Sequence, residues 1–314
     1  MRSKAIRGCG PNKGRCLGWS RASVAIVMVP ALALYLIFSV IPSLGTTFFS
    51  LTDITQVPGK AWRFVGLDNY SEFLLLGNAR DTRDVFVRSL VYAAATTILQ
   101  TCLALAAAIV LDNRRLRGRG LARTLVFLPV VLGVTVTGLC FNLLFSIDGP
   151  ANVVLRSLGI KGGLLSDFAR ALPSVIFIQI WMSMGYEMVI FIAGLQNISR
   201  ELYEAADVDG ARARTVFWRI TLPMLWPTVI VNLLVCVVGA LSSFQIILIT
   251  TRGQFNTQTL AMAVFSEAFG VSQQLERLGR QGYAAAMQMI LFALILAVTL
   301  LSNAFTRRFD RSEL

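Results

Sequence analysis

The stretch E-A-A-D-V-D-G at residues 204–210, followed after nine residues by I-T-L-P at 220–223, decides how this chain is read. It is polar, yet it lies between two long apolar runs. Ser199 precedes R-E-L-Y-E-A-A-D and supplies a hydroxyl at a helix start, with Glu201 in the first turn near the positive helix end. Ala205 and Ala206 leave a slim surface that a partner's cleft can close around, and Glu204 sets a carboxylate beside them. Gly210 stands where the helix should stop, because glycine takes the left-handed conformation without a Cβ penalty. A basic, aromatic helix from Arg212 to Trp218 then leads to Pro223, near the start of the next apolar run, where a missing N–H costs little. Crossing a bilayer needs none of these features. They read as a stiff helix–turn–helix built to be held by another protein.

The rest of the chain supplies the setting. Hydrophobic residues make up 55% of the 314 and charged residues 15%, and the mean hydropathy is +0.67. That is far from the balance of a water-soluble domain. Apolar runs near the ~20 residues needed to span a hydrocarbon core predict six membrane helices at about 24–48, 88–111, 123–145, 173–195, 224–248 and 284–304. The first carries Pro30 and Pro42 but no charge, which membrane helices tolerate. The domain layout expected from this is a basic N-terminus (1–23), a first helix (24–48), an outer loop (49–87), a core of five helices (88–305) containing the polar loop at 197–223, and a tail (306–314).

Orientation follows from lysine and arginine. Arg2, Lys4, Arg7, Lys13, Arg15 and Arg21 precede the first span. Arg114, Arg115, Arg117, Arg119 and Arg123 join the second and third, Arg200, Arg212, Arg214 and Arg219 join the fourth and fifth, and Arg307, Arg308 and Arg311 follow the last. All these share one face, so both termini and the polar loop are expected in the cytoplasm. The net charge of +12 is accounted for by this asymmetry and by anionic lipid headgroups, not by nucleic acid, since the charges frame spans instead of one groove-binding face.

The basic start could imitate a secretory signal, but its apolar stretch is too long for one, and an uncleaved first helix is expected. Cys9, Cys16, Cys102, Cys140 and Cys236 show no metal-ligand spacing, and Cys9 and Cys16 would face a reducing compartment. The chain has no histidine, the commonest general base and metal ligand, which disfavours a membrane-embedded hydrolase or metalloenzyme. No catalytic or metal site is expected, and no bound cofactor. Nor is there a G-x-x-x-x-G-K-[ST] phosphate cradle. Work from nucleotide hydrolysis would have to arrive from elsewhere, through a loop stiff enough to transmit it.

Polar groups inside spans are costly and default to functional candidates. Glu187, in W-M-S-M-G-Y-E-M-V-I, is the foremost; it either lines a path for solute or makes an interhelical hydrogen bond. Asn142, Trp181, Tyr186, Asn232, Ser242, Ser243, Phe244 and Gln245 are further candidates. Aromatic faces beside amides and hydroxyls suit sugar rings, and the same groups also join helices in membranes. The outer loop near 50–87, with F-V-G-L-D-N-Y at 64–70, reads as an interfacial cover over helix ends, and the polar segment 249–283 as containing a re-entrant or interfacial piece.

Each feature of the 204–223 stretch alone would suit an ordinary capped linker. Their joint spacing, E-A-A-x3-G-x9-I-x-L-P before the second-to-last span, resembles the EAA loop of bacterial ABC importer permeases. Over roughly residues 24–305 the chain resembles the sugar-type group, the maltose and glycerol-phosphate permeases. V-G-L-D-N-Y at 65–70, R-G-R-G-L-A-R at 117–123 with L-P at 128–129, and I-A-G-L-Q-N-I at 192–198 carry the resemblance. It implies an all-α membrane protein with the type I importer permease fold, six transmembrane helices and both termini cytoplasmic. It also implies a coupling helix at about residues 201–210 that inserts into a cytosolic ATPase, with Glu204, Ala205, Ala206, Asp209, Gly210 and Pro223 as coupling positions.

The implied partners are a second permease subunit, forming a heterodimer, two ATPase subunits that bind ATP and Mg, and an extracytoplasmic solute-binding protein, all at a bacterial plasma membrane. The group's usual F-D-x-I-Y-x-L-T then G-G-P is altered here to F-Q-I-I-L-I-T-T then R-G-Q, so Gln245 replaces Asp and Leu248 replaces Tyr. An acidic residue at 187 also departs from the neutral polar residue expected there. The implied cargo is a sugar or related polar solute, with glycerol phosphate, a polyol or an amino sugar as alternatives. An ion-coupled secondary transporter using Glu187 as a proton site is the rival of another class.

Overall fold

A computed structural model describes residues 21–57, 59, 61–76, 79–113, 116–160, 162–271 and 279–310, of which 21–27, 76, 79, 80 and 303–310 are described in backbone only. The basic residues before position 21, Arg114, Arg115, Arg311, Cys9 and Cys16 lie outside this set. The chain divides into two compact units, residues up to Phe48 and residues from Phe49 onward. In the first, α1 (Arg21–Tyr35), a π-helical turn (Leu36–Val40) and α2 (Ile41–Phe49) follow one another. Met28 to Phe49 is long and apolar enough to cross a membrane. Large apolar side chains such as Leu32, Phe38 and Leu44 are exposed around it, as suits a helix solvated by lipid.

In the second unit, residues 50–76 wrap around Asn69. α3 (Asp68–Ser71) runs into a π-helical turn (Glu72–Leu76). The buried Asn69 amide donates to the carbonyls of Ser50 at 2.9 Å and Thr52 at 2.8 Å, and the Tyr70 hydroxyl meets Ser50 Oγ at 2.7 Å. An antiparallel bridge joins Thr52 and Phe64. Arg280 holds Glu72 through two hydrogen bonds of 2.6 and 2.5 Å while lying over the Tyr283 ring, and the carboxylate pushes the guanidinium further up from its already high pKa. The loop expected as an interfacial cover is thus held through Asn69 and Tyr70 and through Glu72.

The long elements are α4 (Ala79–Asp112), α5 (Arg119–Val131), α6 (Val134–Leu144), the short α7 (Pro150–Ser157), and α8 (Ala171–Gln196). They continue with α9 (Arg200–Val208), α10 (Ala213–Val216), a π-helical turn (Phe217–Thr221), and α11 (Leu222–Ser242). The last three are α12 (Gln245–Thr250), α13 (Leu260–Phe269) and α14 (Gln281–Asp310). Among the described residues, five helices are long and apolar enough to cross a membrane, and a sixth span is counted if the bent pair α5–α6 is taken as one. The all-α, six-span expectation agrees with this architecture.

Four boundaries change. The second span begins by Asp81, not 88, because the charged residues 80–84 form its first turns. The expected straight span 123–145 is two helices bent by 96°. Pro129 removes the N–H that would bond to residue 125, and Leu132 and Gly133 turn extended. The expected span 224–248 is a helix from Ala213 that stops at Ser242; Ser243 is extended, and Gln245 and Leu248 belong to α12. Pro223 is the second residue of α11, near the start as expected, with a π-helical turn directly before that helix. The π turn before it makes room: Leu222 N–H bonds back five residues to Phe217, as Ile41 N–H bonds to Leu36 just before Pro42. Both prolines thus follow a widened turn that relieves the clash a proline ring meets in a regular helix.

α8 is the hub. It packs against α4, α5, α6, α11 and α12, and Glu187 is its one charged residue. A Cβ on Gly185 would sit 2.5 Å from the Val126 carbonyl oxygen, so that glycine lets α5 cross α8 backbone to backbone. Two apolar cores flank the middle of the bundle. One gathers Tyr92, Ile178, Leu241 and Ile246; the other gathers Ala104, Met188, Phe191 and Leu225.

Candidate functional site

Between these two cores lies a polar layer contributed by three helices at the same depth. α4 supplies Thr96, Thr97, Gln100 and Thr101, α8 supplies Gln179, Ser183 and Glu187, and α11 supplies Asn232 and Cys236. Glu187 is only 2% exposed. Gln100 Nε2 donates to one carboxylate oxygen at 3.0 Å, Thr101 Oγ1 to the other at 3.5 Å, and the Cys236 side chain is a further partner. Burial of a carboxylate demands such donors. A cavity of about 190 Å³ adjoins it, lined in part by Thr96, Gln100, Gln179, Tyr186 and Gly239. Thr96 Oγ1 and Gln100 Oε1 face this layer buried and without a hydrogen-bond partner among the described residues.

The predicted path residues separate into two groups. Glu187 and Tyr186 line the cavity, and Asn232 lies one turn from Cys236, wholly buried, with both amide atoms unpaired among the described residues. Ser243 reaches the same region, its hydroxyl donating to Gln179 Oε1 at 3.4 Å. The others lie elsewhere. Asn142 donates to the carbonyls of Ile249 and Thr250 at the end of α12, a helix-capping role. Trp181 packs edge-on against Phe141, and Phe244 stacks on Phe265 at 4.8 Å. Ser242 and Gln245 are exposed.

Gln179 escaped sequence reasoning. It donates to Ser183 at 3.0 Å and accepts from Tyr92 and Ser243. A signal existed: Gln179, Ser183 and Glu187 recur every four residues, which places them on one helix face. The alternation of polar and apolar blocks along α4 was the second such signal.

The polar loop folds as its spacing predicts, with two changes. Gly210 has φ +66°. Ala211 N–H bonds to Ala206 O at 2.9 Å and Gly210 N–H to Asp207 O at 3.1 Å, the two bonds of a Schellman ending. Asp209 is the residue at the helix end. Ser199 occupies the N-cap position, but its side chain makes no capping bond. Ala206 is buried against the chain's own body, not offered to a partner; Glu204 and Ala205 remain exposed. The outward apolar row is instead Leu202, Ala205 and Val208, three residues apart, with Val208 88% exposed. Tyr203 ties the loop inward by a 3.2 Å bond between its hydroxyl and Thr221 Oγ1.

Comparisons with known proteins agree with this architecture. A family model described as "Binding-protein-dependent transport system inner membrane component" matches residues 100–311. The chain is 31% identical to the trehalose/maltose transport system permease protein MalF of Thermococcus litoralis, covering 88% of this chain and 90% of that protein. It is likewise 31% identical to the sn-glycerol-3-phosphate transport system permease protein UgpA of Agrobacterium fabrum, over 90% and 94%. Its fold is similar to a solved bacterial ABC transporter involved in the import of the acidic polysaccharide alginate, with a TM-score of 0.76, 21% identity and coverage of 91% and 95%.

Proposed function

Because this chain belongs to the binding-protein-dependent transport system inner membrane components, the permeases of ABC importers, we propose that it carries a sugar or related polar solute into the cytoplasm at the expense of ATP hydrolysed by partner subunits. The observation that carries this reading is the 200–210 helix, stiffened by its Schellman ending and baring Leu202, Ala205 and Val208. Two cytosolic ATPase subunits, which bind ATP and Mg, would grip these helices; an extracytoplasmic binding protein would deliver solute; a second permease subunit would complete the path. The arginine distribution supports a cytoplasmic position for both termini and this loop. Glu204, Asp209 and Gly210 shape the gripped element, and Pro223, set behind the π turn, links it to α11.

Force transmitted along a rigid helix into α11 would shift the bundle between inward and outward states. The polar layer is the cargo path best supported by its chemistry. Its hydroxyl and amide oxygens at Thr96 and Gln100, unpaired among the described residues, and the Glu187 carboxylate suit a solute rich in hydroxyl donors. Tyr186 adds an aromatic face for the C–H side of a ring. Relatives named for trehalose/maltose and for glycerol 3-phosphate are consistent with such polyhydroxylated cargo.

Two substitutions test the coupling role. Gly210→Pro forces φ near −65° where the chain holds +66°, and Val208→Asp puts charge on the bared row. Both variants are expected to insert at normal levels while ATP-driven uptake falls at least tenfold. Full uptake in both would refute the assignment.

A further inference from the structure

A cavity of about 440 Å³ opens where four helix ends meet, behind the exposed face of α9. Its wall comes from Asp112 at the end of α4, Arg119 and Arg123 on α5, Gln196 at the end of α8, and Arg200 and Tyr203 on α9, over a floor of Leu195 and Ile198. Asp112 is the one acidic residue among the lining residues, and Arg123 answers it. Arg123 Nη2 lies 3.4 Å from the Asp112 carboxylate, and Nη2 and Nε donate to the Leu111 carbonyl at 2.8 and 3.2 Å. Arg123 is thereby spent on closing the negative end of α4. Arg119 and Arg200 are left: among the described residues neither has an ion-pair partner. Each is the first residue of its helix, where the positive helix end adds to the guanidinium, and the Ser199 side chain makes no capping bond to the start of α9.

We propose that this cavity binds a phosphate ester or phosphate anion between Arg119 and Arg200. Two guanidiniums offer paired N–H donors that match phosphate oxygens, and the Tyr203 hydroxyl, already bonded to Thr221, stands on the same wall. The shared chemistry has two sources: the headgroup of an anionic lipid and a free phosphate in the cytoplasm. All four helix ends belong to or adjoin membrane spans, which puts the cavity at headgroup depth on the face rich in arginine. Occupancy would brace α9 against α4 and α5 and set the stiffness of the element proposed to receive force. The inference rests on the orientation proposed above.

The test uses the complete importer in lipid nanodiscs. Native mass spectrometry of complexes taken from discs holding equal phosphatidylglycerol and phosphatidylcholine is expected to show at least tenfold enrichment of retained phosphatidylglycerol, falling to parity in the Arg119→Gln/Arg200→Gln variant. In pure phosphatidylcholine discs, a rise in Tm on adding inorganic phosphate at constant ionic strength, absent from the variant, would assign the site to free phosphate. Equal retention of the two lipids by the wild type, together with no response to phosphate, overturns the proposal, and this needs no variant to fold. Selective retention that persists in a folded variant overturns it as well. ATP-driven uptake in the same preparation scores the importer reading separately, so intact uptake without anion binding sinks only this site.

Discussion

Asn69 shows how one side chain sets a region. The D-N-Y at 68–70 has no visible chemistry, yet the Asn69 amide supports two carbonyls ten and more residues away, and Tyr70 reaches Ser50 beside them. Asn69→Ala leaves both carbonyls without that donor and is expected to cost about 2 kcal/mol, read as a lower Tm of the detergent-solubilised protein. An unchanged Tm would mean that water replaces the amide freely. Glu187 is a different case, since its carboxylate is both held and adjacent to a cavity. Glu187→Gln keeps an acceptor for Gln100 and removes the charge. Expression and Tm are expected to hold while uptake falls on the order of tenfold, the worth of a hydrogen bond to a charged group. Unchanged uptake would make Glu187 a helix-packing group. Arg252, the first residue of R-G-Q, holds φ +54°, a left-handed conformation at a cost that glycine would not incur.

At the scale of elements, two readings differ in how local their causes are. The 200–210 helix was legible because its stop signal is a single residue: glycine at a left-handed position needs no tertiary help. The split of the third span was not legible. Its composition stays apolar throughout, and only the combination of Pro129 with extended backbone at 132–133 turns α6 by 96°. Hydropathy counts residues and is blind to direction. The close crossing of α5 on α8 is equally silent in sequence, because Gly185 could as well have been a lipid-facing glycine. Gly185→Leu is expected to push α5 off α8, at about 1–3 kcal/mol or more, lowering both the yield of folded protein and its Tm. A normal yield and Tm would show that α5 can shift without loss. On α9, Ala206 turns inward, and the exposed apolar row falls on Leu202, Ala205 and Val208 instead.

For the whole molecule, the membrane class and the family follow from features that survive without a fold. Apolar run length sets the number of spans because backbone groups in hydrocarbon must bond within the helix. Arginine placement sets the expected orientation because charge is costly to move across. Reporter fusions after Asp310 and within the 197–223 loop are therefore expected to be cytoplasmic, and a fusion near Asp68 to be outside; the opposite pattern would invert every functional assignment made above. The polar layer was only half legible. Glu187 and Asn232 stood out as costly residues, but Thr96, Gln100, Gln179 and Cys236 look ordinary one at a time. Three helices far apart in sequence had to pack before their polar blocks lay at one depth between two apolar cores. The sequence by itself pointed to six apolar spans, to the family and to where the polar 200–210 helix begins and ends, since these rest on local periodicity, charge and one glycine. Only the tertiary structure decided which polar residues meet and which face of the loop is bare, since these depend on contacts between residues tens of positions apart.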